Sequence, residues 1–245
     1  MAVHNGRAHL AAQLRSVLGQ LEAGDELIVV DDASSDDGLR ALQDEKLPHV
    51  RIVVNARNLG AIRSFECGLG LAQGEVVFLC DQDDIWLPGK RAAFVAAFER
   101  DPRVLVVISD SEVIDAQDTL LAPSYMATRG GFHGSVLATL WRNRFLGCAM
   151  AVRRPLLAIA LPFPASIPMH DMWLGALGGL FGRIVYLPQA YLRYRRHAGN
   201  LTPLRSTQPW TTLLRWRAQL AWCLAARAIG RWLRGGRIDQ HSWKD

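Results

Sequence analysis

Apolar runs and polar punctuation alternate regularly over the first 110 residues. Glu26–Asp31, Arg51–Asn55, Glu75–Cys80 and Arg103–Ser109 are short β-branched runs that read as strands. Between them, Asp37–Glu45, Asn58–Gln73 and Gly89–Arg100 carry helical spacing, the first with Ser35 or Asp36 as its cap. Strand and helix in turn predict an α/β domain with a mostly parallel central sheet flanked by helices. The second half is less regular. Gly134–Asn143 reads as a helix, Gly147–Val152 as a strand and the proline-rich Pro155–Pro168 as a turn-rich linker. Asp171–Phe181 follows as a helix, then Ile184–Leu187 and Tyr191–Arg195 as short strands. Arg205–Arg234 reads as one long helix, with a break expected near Gly230. At the amino terminus only Ala2 and Val3 precede the turn-like His4-Asn5-Gly6, so the first strand is expected to be truncated.

Half of the 245 residues are hydrophobic, enough for one sizeable core and too many for a disordered chain. Four scattered cysteines form no C-x-x-C pair, which favours a reducing compartment. No run reaches the length of a membrane span and the start has no signal-peptide core, so a soluble, cytoplasmic protein is expected. The charge is uneven: residues 205–245 carry eight Lys/Arg and two Asp, a net of +6, against −1 for the rest. The chain is therefore divided into a domain over 1–204 and a basic, Trp/Arg-rich helical tail over 205–245. An anionic surface suits such a tail, and peripheral contact with a membrane is one form of it. A helix packed on the domain is the other.

The strongest chemical signal is Asp81-Gln82-Asp83-Asp84, directly after the apolar run Val76–Cys80 and before Ile85-Trp86-Leu87-Pro88. Ligand crevices of open α/β sheets lie at the carboxyl ends of strands. Three adjacent carboxylates repel unless a cation lies among them, and oxygen ligands suit Mg²⁺ or Mn²⁺. Such an ion completes its shell with substrate phosphates, which points to an enzyme acting on a diphosphate. A solvated acidic turn would explain the acids but not the apolar residues after them. Asp31 and Asp32 end another strand, where paired acids can accept bonds from a nucleobase or ribose. His170-Asp171 lies between apolar residues at a helix start, where a carboxylate can serve as a general base or only as a cap. Arg193, Arg195, Arg196 and His197 follow a strand and suit phosphate, or a solvated edge.

The order N-G, V-V-D-D-A-S-S-D, N-L-G, D-Q-D-D-I-W-x-P-x-K, G-C-A-M-A-V-R-R, M-H-D-M-W-L and Y-R-R-H-A-x-N resembles glycosyltransferase family 2, over roughly residues 4–202. It looks most like the bacterial rhamnosyltransferase-like subgroup. The resemblance implies a GT-A fold, a dTDP- or UDP-sugar donor, a divalent metal and inversion at the anomeric carbon. It further implies a glycan or lipid-linked acceptor, a role in building a surface polysaccharide at the inner membrane face, and no nucleic-acid partner. By position, Asp31, Asp32 and Asn58 resemble the nucleotide site, and Asp81 and Asp83, with Asp84 and His197, the metal site. Asp171 resembles the catalytic base. Gly147 and Cys148, with His170 and Trp173, fall on the acceptor side. His4 stands where an aromatic residue is common. A truncated domain that binds a nucleotide sugar without transferring it is the alternative. A metal-dependent nucleotidyltransferase or phosphohydrolase also fits the acids, but the glycine-rich phosphate loop of the former is missing.

Overall fold

The computed structural model describes residues 1–39, 49–134, 136, 143–197 and 209–233. The helices expected over Asp37–Glu45 and Gly134–Asn143 lie largely outside them. A three-stranded parallel sheet opens the chain, in the order β1 (Ala2–Val3), β2 (Leu27–Asp31), β3 (Val50–Val54), with α1 (Leu10–Leu18) and α2 (Ala61–Leu71) as its helices. β1 is two residues long, as the polar start foretold, and Ala2 N–H donates to Cys80 O, which joins this sheet to the second one. Beside the short β1, a cavity of about 330 Å³ lies between Leu27 and Ile28 of β2 and the strand Val76–Phe78.

The second sheet contains β4 (Val76–Phe78), β5 (Ile85–Trp86), β6 (Val104–Ile114), β7 (Leu120–Ala122), β8 (Met150–Arg153) and β9 (Arg183–Arg195). Its order is β4-β8-β6-β9-β5, with β7 on the end of β6. Only β6 and β9 pair in parallel here, and the pairs β4–β8, β8–β6, β6–β7 and β5–β9 are antiparallel. The sheet is thus more mixed than expected, because β8 inserts in reverse between two strands that run the same way. The two short strands expected over 184–195 are one strand. Pro188 is accommodated where the register of β6 against β9 breaks, between Ser109 and Asp110.

β6 is the spine. A register break between Val104 and Val106 lets Val104 and Val107 share the face under α3 (Lys90–Glu99), with Phe94 and Phe98. Val106 and Ile108 face the main core, under α5 (Arg154–Ala160) and α6 (His170–Phe181), with α4 (Tyr125–Thr128) near the end of β6. The expected linker over 155–168 thus begins as a helix, with Pro155 in its first turn where a missing N–H costs nothing. α6 lies hard against the sheet because it offers glycines there. A Cβ on Gly178 would stand 2.3 Å from Val106 Cγ2, and one on Gly175 would meet the Phe145 ring at 2.5 Å. The final helix, α7 (Trp210–Leu233), runs unbroken through Gly230 and adds Leu220, Cys223 and Leu224 to the main core. No described helix is long and apolar enough to cross a membrane.

Candidate active site

β4 runs parallel to β6 and β9, so the carboxyl ends of β1, β2, β4 and β9 meet along one edge. The acid turn sits there, and the fold holds it from three sides. From the N-terminal loop, Gln82 makes a two-way amide pair with the backbone of His4: Gln82 Oε1 accepts its N–H at 2.6 Å, and Gln82 Nε2 donates to its carbonyl at 3.0 Å. Gly6 allows this approach, since a Cβ there would lie 2.9 Å from Gln82 Oε1. From β9, Arg195 is almost fully buried. Its Nε donates to Asp83 O, its Nη1 to Asp115 O, and its Nη2 pairs with Asp118. Its backbone N–H donates to Asp84 Oδ1. From α3, the buried Lys90 ammonium donates to Cys148 O at 2.7 Å and lies 4.5 Å over the Trp86 ring. Burial pulls its pKa down to about 8, against the pull of Cys148, Cys80, Asp84 and Asp81.

The acids sort into an inner and an outer set. Carboxylate oxygens of Asp81 and Asp84 and the sulfur of Cys148 lie within 4.8 Å of one another. Asp84 is 1 % exposed, and its Oδ2 has no hydrogen-bond partner among the described residues. Burial, then the Asp83 charge, pushes its carboxyl up to about 7. Burial, then Asp84, Asp83 and Asp171, pushes Asp81 well above the carboxylate range. On the outer side, Asp83 Oδ2 meets His197 Nε2 at 2.8 Å, and the His9 ring stands 5.2 Å from the His197 ring.

Asp171 lies on this same side, against Gly147, whose neighbour Cys148 belongs to the inner cluster. It is buried in the first turn of α6, where Met172 N–H donates to Oδ1 at 2.6 Å and Asn143 Nδ2 at 3.3 Å. Burial outweighs these bonds and one from the Gly147 backbone, and raises its carboxyl to about 6. A carboxyl poised there is mostly ionised near physiological pH and still a stronger base than an ordinary carboxylate, as a proton acceptor needs to be.

On the opposite flank, Asp32 is bound into the loop after β3. It accepts from Leu59 N–H and Asn55 Nδ2 through Oδ1, and from Gly60 N–H through Oδ2. Burial alone would raise its pKa, but these bonds prevail and hold it below the usual range. Asp31 Oδ1 accepts the N–H and hydroxyl of Ser34. The exposed His4 ring links the segments: Nδ1 lies 2.9 Å from Asp32 O and Nε2 3.1 Å from Asn58 Nδ2. Asp31, Asp32 and Asn58 thus form one wall with His4. The acceptor-side set separates. Trp173 is fully buried and its indole donates to Ala160 O, so it belongs to the core and can touch no acceptor. Cys148 is fully buried as well. His170 is buried against Phe65 with ring centroids 4.1 Å apart, and burial lowers its pKa to about 3. Gly147 keeps a place beside the site, since a Cβ there would press on His170 Nε2 at 2.9 Å and would touch Asp171 Cβ at an ordinary 3.6 Å.

Three residues hold the site in a way the sequence does not signal. Arg195, suited by its sequence to phosphate or a solvated edge, is instead buried and engaged with Asp83, Asp115 and Asp118, and Lys90, the last residue of the D-Q-D-D-I-W-x-P-x-K run, is buried under the turn. Asp110 fixes α4 by accepting from Ser124 Oγ and Met126 N–H, and only its place after an apolar run links it to Asp31 and Asp81.

Residues 1–157 match the family model Glycosyl transferase family 2. The chain belongs to that family. An uncharacterized glycosyltransferase of Nostoc sp. is 32% identical over 118 residues, 47% of this chain and 36% of that protein. The Escherichia coli protein WfaP, named a UDP-Glc:α-D-GlcNAc-diphosphoundecaprenol β-1,3-glucosyltransferase, is 25% identical over 205 residues, 82% of this chain and 78% of WfaP. Among solved structures, Staphylococcus aureus TarS 1–349 in complex with UDP-GlcNAc superposes with a TM-score of 0.66 at 18% identity, over 92% of this chain and 64% of that one. That likeness establishes the GT-A fold. This family 2 chain spans about a third to a half of the length of the first curated relatives it matches.

Proposed function

We propose that this chain is the catalytic domain of an inverting glycosyltransferase, moving a hexose from a nucleotide-diphosphate donor to a lipid-linked or polysaccharide acceptor. The observation that carries the reading is that Gly147 lies against Asp171 while the next residue, Cys148, has its sulfur within 4.8 Å of carboxylate oxygens of Asp81 and Asp84, which puts Asp171 beside the acid turn. The residues fit a divalent ion: carboxylate oxygens of Asp81 and Asp84 lie within 4.8 Å of each other, a buried oxygen on Asp84 has no hydrogen-bond partner among the described residues, and an imidazole meets Asp83. Asp81 and Asp83, with His197, would hold Mg²⁺ or Mn²⁺, and Asp84 would support them from beneath. When bound, the ion supplies positive charge to the departing diphosphate.

The residues themselves have separable tasks. Asp31, Asp32 and Asn58, with His4, form the wall for the nucleoside. Asp171 takes the proton of the acceptor hydroxyl as its oxygen bonds to the anomeric carbon. The bond from that carbon to the diphosphate breaks on the opposite face, the nucleoside diphosphate leaves with the electron pair, and configuration inverts. The Gly147 N–H and Asn143 orient the carboxylate, and burial keeps it basic enough to accept the proton. A UDP- or dTDP-hexose suits the site. Rhamnose rests on the motif likeness alone, and the named activity of WfaP supports a lipid-diphosphate acceptor.

The cavity between β2 and β4 favours a second reading, donor binding without transfer, because it leaves the core unfilled between the two strands that carry the nucleoside wall and the acid turn. One experiment separates the two. Thermal shift against a panel of nucleotide sugars with Mn²⁺ identifies the donor, and release of free nucleotide is then followed with lipid-diphosphate sugars present. Transfer supports the catalytic reading. Stabilisation without release supports the second, and stabilisation by no nucleotide sugar contradicts both.

A further inference from the structure

α7 is apolar on two faces, and the core uses only one. Leu220, Cys223 and Leu224 point inward. Trp210, Leu214, Trp222, Ile229, Trp232 and Leu233 point outward, and the three tryptophans are 71%, 74% and 79% exposed. These outward positions fall within one arc of the helix, with alanines filling the gaps between them. A contiguous apolar strip of this kind on a water-soluble surface marks an interaction site.

Charge identifies the partner. α7 contains four arginines and no acidic residue. Arg227 folds back beside the core, donating to the carbonyls of Ile159, Leu161 and Pro162, and Arg231 lies over the Phe181 ring. Arg215 is exposed on the outward side. Beyond the helix the sequence adds Arg234, Arg237 and Lys244 against two aspartates. Tryptophan concentrates at the boundary between headgroups and acyl chains, and arginine at its rim pairs with lipid phosphate. A helix about 36 Å long with this pattern lies in the interface and does not cross it.

We propose that the outward face of α7 docks this chain onto the surface of an anionic lipid bilayer. α7 packs on α6, the helix whose first turn carries Asp171, so docking fixes the orientation of the site relative to the bilayer. The inference adds a partner to the proposed transferase. Its test needs no sugar donor, so its failure leaves the transfer reaction standing.

The test is flotation of the full chain with vesicles of phosphatidylcholine, with and without phosphatidylglycerol, at low and high salt. The wild-type chain is expected to float with the anionic vesicles and to release at high salt. The double variant Trp222→Ser/Trp232→Ser is expected to lose roughly tenfold or more in partitioning with an unchanged circular dichroism spectrum. Arg215→Glu is expected to weaken binding to anionic vesicles alone. Equal flotation of wild type and both variants overturns the proposal, as does absence of flotation. So does a tryptophan-dependent dimer in light scattering that ignores vesicles, which would assign the face to a second copy.

Discussion

His197 Nε2 stands 2.8 Å from Asp83 Oδ2, although 114 residues separate them in the chain. β9 brings the imidazole to the acid turn, and Arg195, two residues earlier, clamps the turn from below. If the pair shares a divalent ion, removing either partner weakens its hold. His197→Ala and Asp83→Ala are each expected to lower Mn²⁺-dependent UDP affinity by about 10–100-fold. Calorimetry with and without Mn²⁺ measures this. The metal-free affinity should hardly change.

Asp171 carries a stability cost that follows from its burial. Its folded-state pKa of about 6 is raised, so the folded chain holds this proton more tightly than the unfolded one. The stabilising effect is complete below the ordinary carboxylate pKa and is lost as pH rises through about 6. At pH 8 the buried charge therefore costs on the order of 3 kcal/mol at most. Asp171→Asn should raise the melting temperature at pH 8 and give a much smaller gain at pH 4. A gain of equal size at both values would remove burial of the charge as the cause. The wild-type transfer rate should climb with pH through about 6 and then level off.

Arg195 donates to main-chain carbonyls of Asp83 and Asp115 and pairs with Asp118, all from a buried position. Arg195→Ala leaves these acceptors without a donor and should cost about 3–5 kcal/mol in urea unfolding. Arg195→Lys should recover little of it, because one ammonium cannot reach three acceptors set in a fork.

Ala33 lies in the turn after Asp32 with φ of 56°, a left-handed conformation that a β-carbon resists. Ala33→Gly should stabilise the chain by roughly 0.5–1 kcal/mol, the relief of strain exceeding the entropy glycine adds to the unfolded state. Gly178→Ala is the opposite case. The new methyl would press on Val106 at the seam that seats α6, and should cost about 1–3 kcal/mol.

The burial of the acid turn at a strand end is legible in the sequence because apolar residues flank it on both sides, a context no open loop tolerates. The burial of Asp171 is legible for the same reason. Its neighbours mislead. Trp173 is two residues on in a helix, which turns it to the far side, so nearness in sequence to Asp171 says nothing of nearness to the site. The direction of β8 leaves no local trace either, since a strand reads alike whichever way it pairs. The burial of Lys90 and Arg195 escapes because it depends on acceptors contributed by distant segments: Cys148 for one, Asp83, Asp115 and Asp118 for the other. The exposed tryptophans of α7 are visible as letters, but the core takes one helix face and leaves the other bare only once α6 is in place.

The central claim is that Asp171 accepts the acceptor's proton across from a donor held by the acid turn. Nucleotide release and donor affinity measured together on Asp171→Asn, with Mn²⁺ and a lipid-diphosphate acceptor, test it most directly. The account predicts donor affinity within about threefold of wild type and turnover lowered by at least about 10³-fold. Turnover close to wild type in this variant would contradict it.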